Sequence, residues 1–73
     1  MSIASDQGPV GGIGARLRLM REARLMSQRD LAKVAGISQT TIVNIETGQT
    51  TPHPSTRRRL AAALAVDPEA LVG

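Results

Sequence analysis

The chain has 73 residues, enough for one domain with a core of modest volume. It contains no cysteine, which excludes disulfide bonds, cysteine-based zinc sites and a cysteine nucleophile. Aromatic residues are also absent and the formal net charge is +3, so the core must be aliphatic and an anionic partner is favoured. No period-two run of β-branched residues longer than a few positions is present, which predicts an all-α fold.

The first stretch, residues 1–12, is rich in Gly and Ser and has no periodic apolar spacing, so we expect a flexible arm. This stretch lacks the basic and apolar parts of a secretion signal. The longest apolar run, residues 60–66, is too short to span a bilayer. We therefore expect a cytoplasmic protein with no membrane partner, whose folded domain covers residues 13–73.

The first predicted helix covers residues 13–25, where apolar spacing at three and four residues runs through Ile13, Leu17, Met20 and Arg24. Two methionines, Met20 and Met26, are expected to fill the core.

The second predicted helix begins near Gln28, because Ser27 and Asp30 have the spacing of a capping box. Gly36 follows it as a left-handed stop. The buried stripe of this helix is predicted to contain Leu31, Val34 and Ala35.

The third predicted helix runs from a cap at Ser38 to about Thr47, where Gly48 follows as a second glycine stop. The second and third helices are thus joined by a very short connection that contains a glycine.

Two further helices are predicted after a loop bracketed by Pro52 and Pro54. A fourth helix is expected to start at a cap on Ser55 or Thr56 and to bury Leu60 and Leu64. The fifth is expected over Pro68–Val72, since Asp67 offers a capping carboxylate directly before a proline.

Two short helices joined by a turn that contains glycine are typical of the helix-turn-helix, which sets its second helix at a steep angle to the first. Residues 28–47 have the apolar, small and glycine positions that this unit needs, at Leu31, Ala32, Gly36, Ile42 and Ile45.

With these positions the chain resembles the Cro/C1-type repressor family, also called the XRE family, over residues 13–72. The segments that carry the resemblance are LRLMREARLMSQRDLA, GISQTTIVNIETG and LAAALAV. The resemblance implies a five-helix, lambda-repressor-like fold and a transcriptional regulator that binds double-stranded DNA without a cofactor.

In this family the third helix lies in the major groove with its N-terminal side chains facing the bases. The resemblance therefore implies base contacts from residues of this helix and its cap. Gln and Asn can form two hydrogen bonds with adenine, and a Val or Thr methyl can pack on the thymine methyl group. The predicted base-reading residues are Ser38, Gln39, Thr40, Val43 and Asn44.

The resemblance also implies contacts with the DNA backbone, from the start of the second helix, the loop after the third helix and one arginine of the first helix. It pairs Arg21 with Glu46, because a carboxylate near a helix C-terminus needs a cation beside it. The predicted phosphate-contacting residues are Arg21, Ser27, Gln28, Thr47, Gln49 and Thr50.

Two other features have less specific interpretations. Arg57, Arg58 and Arg59 form a solvated cluster or contact DNA or a partner, and Arg57 stands where the family usually has an apolar residue. His53 has no Cys or acidic cluster beside it, so no metal site is predicted.

The function predicted from these residues is sequence-specific DNA binding as a repressor, by a weak homodimer that assembles mainly on DNA. Leu71 and Val72 are the residues expected to form the dimer surface. An alternative is a protein-interaction module, such as an antitoxin or a cofactor that contacts polymerase. No catalytic constellation or small-molecule ligand is evident, so an enzyme is not expected.

Overall fold

The computed structural model describes residues 12–72, so residues 1–11 of the predicted arm over residues 1–12 lie outside this range. The described residues form five α-helices and no strand, which confirms the predicted all-α fold. The first, second, third and fifth helices begin and end within two residues of their predicted bounds. The helices are α1 (Ile13–Ala23), α2 (Gln28–Ala35), α3 (Gln39–Glu46), α4 (Pro54–Leu64) and α5 (Pro68–Val72).

The helices surround one aliphatic core. α1 packs against α3 and α5, α2 packs against α3 and α4, and α4 packs against α5. Burying a Leu or Ile side chain contributes about 1.5 to 3 kcal/mol, so the core supplies most of the stability of this domain. Met20 and Met26 pack against its edge, as predicted. The largest fully buried side chains are Leu17, Leu31, Ile42, Ile45, Leu60, Leu64 and Leu71.

The position of Leu71 corrects one prediction. Its side chain is fully buried within this single chain, so it is not available as part of a dimer surface. The physical reason is that α5 packs against both α1 and α4, which leaves the apolar side of this short helix facing inward.

The crossing of α1 and α3 depends on Gly14. A Cβ atom at this position would overlap the carbonyl oxygen of Ile45, so only glycine permits the observed approach of the two helices. The buried residues of α1 are therefore Gly14, Leu17 and Arg21. Arg24, predicted to lie on the apolar stripe, is exposed.

The ends of α2 and α3 follow the sequence signals. Ser27 Oγ accepts a 2.9 Å hydrogen bond from the Asp30 N–H, and Asp30 Oδ2 accepts one of 3.0 Å from the Ser27 N–H. Gly36 ends α2 with φ of 73°, in the left-handed region. Ser38 Oγ accepts a 3.1 Å hydrogen bond from the Thr41 N–H and caps α3. These predicted caps and the glycine stop are confirmed.

Two local predictions are wrong. Val34 is 61% exposed, because α2 turns Leu31, Ala32 and Ala35 toward α3 and α4 and Val34 lies beside this face. α4 begins at Pro54 rather than after a Ser55 or Thr56 cap. Proline has a fixed φ that suits the first helical position, so the helix starts there without a side-chain cap.

The helix α1 ends two residues earlier than predicted. Leu25 has φ of 56°, and the N–H of Met26 donates to the Arg21 carbonyl at 3.1 Å, which closes a Schellman turn. A non-glycine residue in this region carries a steric cost, and the Leu25 side chain is 93% exposed, so it regains no burial in return.

Candidate nucleic-acid interface

The third helix lies at the surface with one side in the core. Ile42 and Ile45 are buried and turn the opposite side of α3 toward solvent. On that side Gln39 and Thr40 are exposed, and Val43 and Asn44 are half-buried. We call these four residues, Gln39, Thr40, Val43 and Asn44, the reading face.

The polar side chains of the reading face have no partner among the residues that the structure describes. No hydrogen bond links the side chain of Gln39, Thr40 or Asn44 to the rest of the described chain. Ser38, also predicted to read a base, differs from them. Its hydroxyl caps α3 and also lies 2.8 Å from Thr41 Oγ1.

A second group of polar side chains joins three helices. Arg21 Nε donates to Glu46 Oε2 at 2.7 Å and Arg21 Nη2 donates to Glu46 Oε1 at 3.0 Å. The ion pair predicted between these residues is therefore present. Gln28 Nε2 also donates to Glu46 Oε1, at 3.1 Å. We call these three residues, Arg21, Gln28 and Glu46, the anchor cluster.

The anchor cluster is largely withdrawn from solvent. The side chain of Glu46 is 3% exposed and that of Arg21 is 10% exposed. Arg21 Nη1 donates further to the Met26 carbonyl at 2.7 Å. Hydrogen bonding to Glu46 raises the pKa of Arg21 despite the opposing effect of burial, so the arginine stays charged. The cluster thereby holds α1 and the start of α2 against the end of α3.

A polar cleft of about 420 Å³ opens beside the anchor cluster at the start of α2. Arg21 uses three of its five N–H groups within the protein, and Gln28 uses one of its two amide hydrogens. Both side chains line the cleft and keep N–H groups that form no hydrogen bond within residues 12–72. Its lining residues are Arg18, Arg21, Ser27, Gln28, Glu46 and Thr47.

Arg18 also lines this cleft, although no motif in the sequence marks it as a binding residue. It follows the helical spacing that places positions three apart on one face, which relates it to Arg21. Arg18 is exposed and forms a 3.2 Å ion pair with Glu22. Its position three residues before Arg21 is the feature of the sequence that could have assigned Arg18 to this cleft.

The loop after α3 folds back on the end of that helix. The N–H of Gln49 donates to the Asn44 carbonyl at 2.8 Å, and the N–H of Thr50 donates to the same oxygen at 3.3 Å. Thr47 Oγ1 donates to the Val43 carbonyl at 2.8 Å. The side chains of Thr47, Gln49 and Thr50 are exposed. Their predicted contacts with phosphate stay predictions.

The arginines of α4 have separate positions. Arg57 is half-buried and Arg58 is exposed. Arg59 Nη1 donates to the Gly36 carbonyl at 3.4 Å, a contact between α4 and the turn that leads to α3. The sequence did not predict this contact, because it joins segments far apart in the chain.

No group of metal-binding side chains is present in the part of the chain that the structure describes. Within the same residues, none of the helices has the length and apolar character needed to cross a membrane.

Comparison with known proteins agrees with this geometry. A family model described as a helix-turn-helix domain matches residues 13–72. The restriction-modification controller protein C.AhdI from Aeromonas hydrophila superposes with a TM-score of 0.79 at 34% identity, over 81% of this chain and 89% of that chain. The P22 c2 repressor, solved in complex with a synthetic operator, superposes with a TM-score of 0.79 at 30% identity, over 84% of this chain and 92% of that one.

A curated relative is longer than this chain. The uncharacterized HTH-type transcriptional regulator RghRB of Bacillus subtilis (strain 168) is 45% identical over 60 residues, which are 81% of this chain and 43% of the relative. The chain thus spans less than half the length of that relative. The family-model match and the similarity to repressor structures show that the chain belongs to the helix-turn-helix domain family, in its Cro/C1-type group.

Proposed function

We propose that this domain binds double-stranded DNA in a sequence-specific manner and regulates transcription, as a repressor that occupies an operator. In this proposal α3 lies in the major groove with the reading face against the base edges. The observation that carries the proposal is the pair of side-chain amides, Gln39 and Asn44, which are oriented away from the core and have no partner within residues 12–72.

The cleft beside the anchor cluster supports a second part of the proposal. We assign Gln28, Ser27 and Arg21 to contacts with one backbone phosphate, because all three line this cleft at the start of α2. We assign Thr47, Gln49 and Thr50 to the neighbouring phosphate. Ser38 is assigned to orienting α3, since its hydroxyl is engaged in the cap.

A homodimer completes the proposal. Two copies related by a two-fold axis would place α3 in successive major grooves about 34 Å apart, which requires a pseudo-palindromic operator. C.AhdI and the P22 c2 repressor support a DNA partner, since one is named a controller protein and the other was solved with an operator. The proposal includes a cytoplasmic localisation, where operator DNA is accessible to the protein.

The experiment that tests this function compares two amide truncations. A randomised duplex pool is selected with the unmodified chain, and the selected duplex is then titrated with the Asn44→Ala and Gln28→Ala variants. Asn44→Ala is expected to relax the preference at one base pair, with a discrimination loss of about 1 to 3 kcal/mol. Gln28→Ala is expected to weaken binding to all sequences equally, because phosphates carry no base identity.

Two results would contradict the proposal. If no sequence is enriched and only weak, salt-sensitive binding remains, the domain serves a protein partner instead, and the interaction-module hypothesis replaces DNA recognition. If sedimentation shows one copy on the selected duplex, the homodimer and the half-site geometry are wrong even though DNA binding stands.

A further inference from the structure

The surface offered by α3 and the loop after it is unusual in its lack of charge. Residues 38–53 contain no Lys or Arg, and their single acidic residue is Glu46. This composition matters because base readers have specific chemistry. Arg and Lys are the principal readers of guanine in the major groove, and Asp or Glu accepts a hydrogen bond from cytosine.

Glu46 is also removed from any role in reading cytosine. Its side chain is 3% exposed, and both carboxylate oxygens accept hydrogen bonds from Arg21, with Gln28 as a third donor. Turning this carboxylate toward a base would leave the guanidinium of Arg21 without its partner in a nearly buried position. The reading face therefore has no cationic side chain for guanine and no free carboxylate for cytosine.

The side chains that remain form two rows along the helix. Residues four apart on a helix are neighbours, so Gln39 lies beside Val43 and Thr40 lies beside Asn44. Each row combines an amide with a side chain that carries a methyl group. An amide can donate to adenine N7 or accept from its N6 amino group, and a methyl group can pack on the thymine C5-methyl.

We propose that the base pairs read by α3 are A·T pairs, with adenines on Gln39 and Asn44 and thymine methyl groups on Val43 and Thr40. The proposal rests on the proposed function, since it specifies which operators that function selects. It concerns only the base pairs that face α3. Base pairs elsewhere in the operator are free to be G·C.

The first test locates those base pairs. Duplexes are selected from a randomised pool with the full chain and with the Gln39→Ala and Asn44→Ala variants, and the positions that lose their preference in a variant are identified. A·T at those positions is the expected result, and G·C there overturns the assignment. A pool with no enrichment contradicts the proposed function itself, so the two failures are distinguishable.

The second test removes single groups from the bases. Deoxyuridine in place of one thymidine removes the C5-methyl group and is expected to weaken binding of the unmodified chain about four-fold. Val43→Ala is expected to lose this sensitivity, as in a double-mutant cycle. In the same way, 7-deazaadenine lacks the N7 acceptor. Its incorporation is expected to weaken DNA binding by the unmodified chain about ten-fold but to leave binding by Asn44→Ala unchanged.

The base analogues can also overturn the proposal. Equal losses for the unmodified chain and its variant show that the base group is not read by that side chain. No loss with either analogue shows that α3 does not read A·T pairs by direct contact. The unfolding midpoint of each variant is measured in parallel, so that a loss of folding is not mistaken for a loss of recognition.

Discussion

The anchor cluster and the reading face contain similar side chains in opposite situations. Gln28 and Asn44 are both amides on neighbouring short helices. Gln28 donates to Glu46 inside a nearly buried network, while the Asn44 side chain has no partner within residues 12–72. The surroundings of a polar side chain therefore decide its role. A side chain with a hydrogen-bond partner inside the domain stabilises the fold, whereas an exposed side chain without one is available to a ligand.

The largest expected effect is on the anchor cluster. Glu46→Ala leaves Arg21 nearly buried without its ion-pair partner and is expected to lower the free energy of unfolding by about 3 to 5 kcal/mol. Urea denaturation followed by circular dichroism measures this loss. The matched control is the double change Arg21→Met with Glu46→Leu, which removes both charges and is expected to recover most of the stability. A loss below about 1 kcal/mol for Glu46→Ala, typical of a surface pair, would show that the cluster is not a structural anchor.

The next largest effect is expected at the close approach of α1 to the end of α3, which positions the anchor cluster. In Gly14→Ala the new Cβ atom would overlap the Ile45 carbonyl oxygen, and we expect a loss of about 3 kcal/mol, at the upper end for overpacking. Gly48→Ala is the matched control, because nothing lies within 4 Å of its Cβ and only its positive φ is unfavourable. That variant should lose about 1 kcal/mol. Equal losses in the thermal unfolding of both variants would contradict a tight helix crossing.

A smaller effect of the opposite sign is expected in the turn that leads from α1 to α2. Leu25→Gly relieves a left-handed conformation without removing a buried contact, and we expect it to raise the free energy of unfolding by about 0.5 to 1 kcal/mol. Ala65→Gly, at the corresponding end of α4 with φ of 59°, serves as a second case. If Leu25→Gly destabilises the domain in denaturant titrations, the exposed Leu25 side chain must contribute a contact that this single chain does not contain.

The smallest effect concerns the caps that orient the two helices. The Ser27 N–H and hydroxyl hold the pKa of Asp30 below its ordinary value, chiefly through the backbone hydrogen bond. A lowered pKa means that this contribution is complete above the ordinary value near 4 and is lost as the pH falls through the pKa of the folded state. Acid titration of stability should therefore be steeper for the unmodified chain than for Asp30→Asn. The cap of α3 has Thr41 at the same position and offers no carboxylate, so Thr41→Ala should leave the acid dependence unchanged.

Much of the recognition unit follows from residue order alone. A Ser followed three residues later by Asp marks the start of α2, and Gly36 marks its end, because caps and left-handed stops involve only neighbouring residues. The burial of Ile42 and Ile45 follows from helical spacing, and it forces Gln39 and Asn44 outward. The same kind of capping pattern gave a wrong prediction for α4, which begins at Pro54 without a cap at Ser55 or Thr56.

Contacts between distant segments account for what the residue order did not reveal. The burial of Arg21 rather than Arg24 depends on the approach of α3 to Gly14, and the exposure of Val34 depends on where α3 and α4 cross α2. The hydrogen bonds from Gln28 to Glu46 and from Arg59 to Gly36 likewise join residues 18 and 23 positions apart. Periodicity and capping describe one helix at a time, whereas the angle and distance between helices arise from packing their side chains together. Packing therefore decides which polar groups form hydrogen bonds within the domain and which remain available to contact a base.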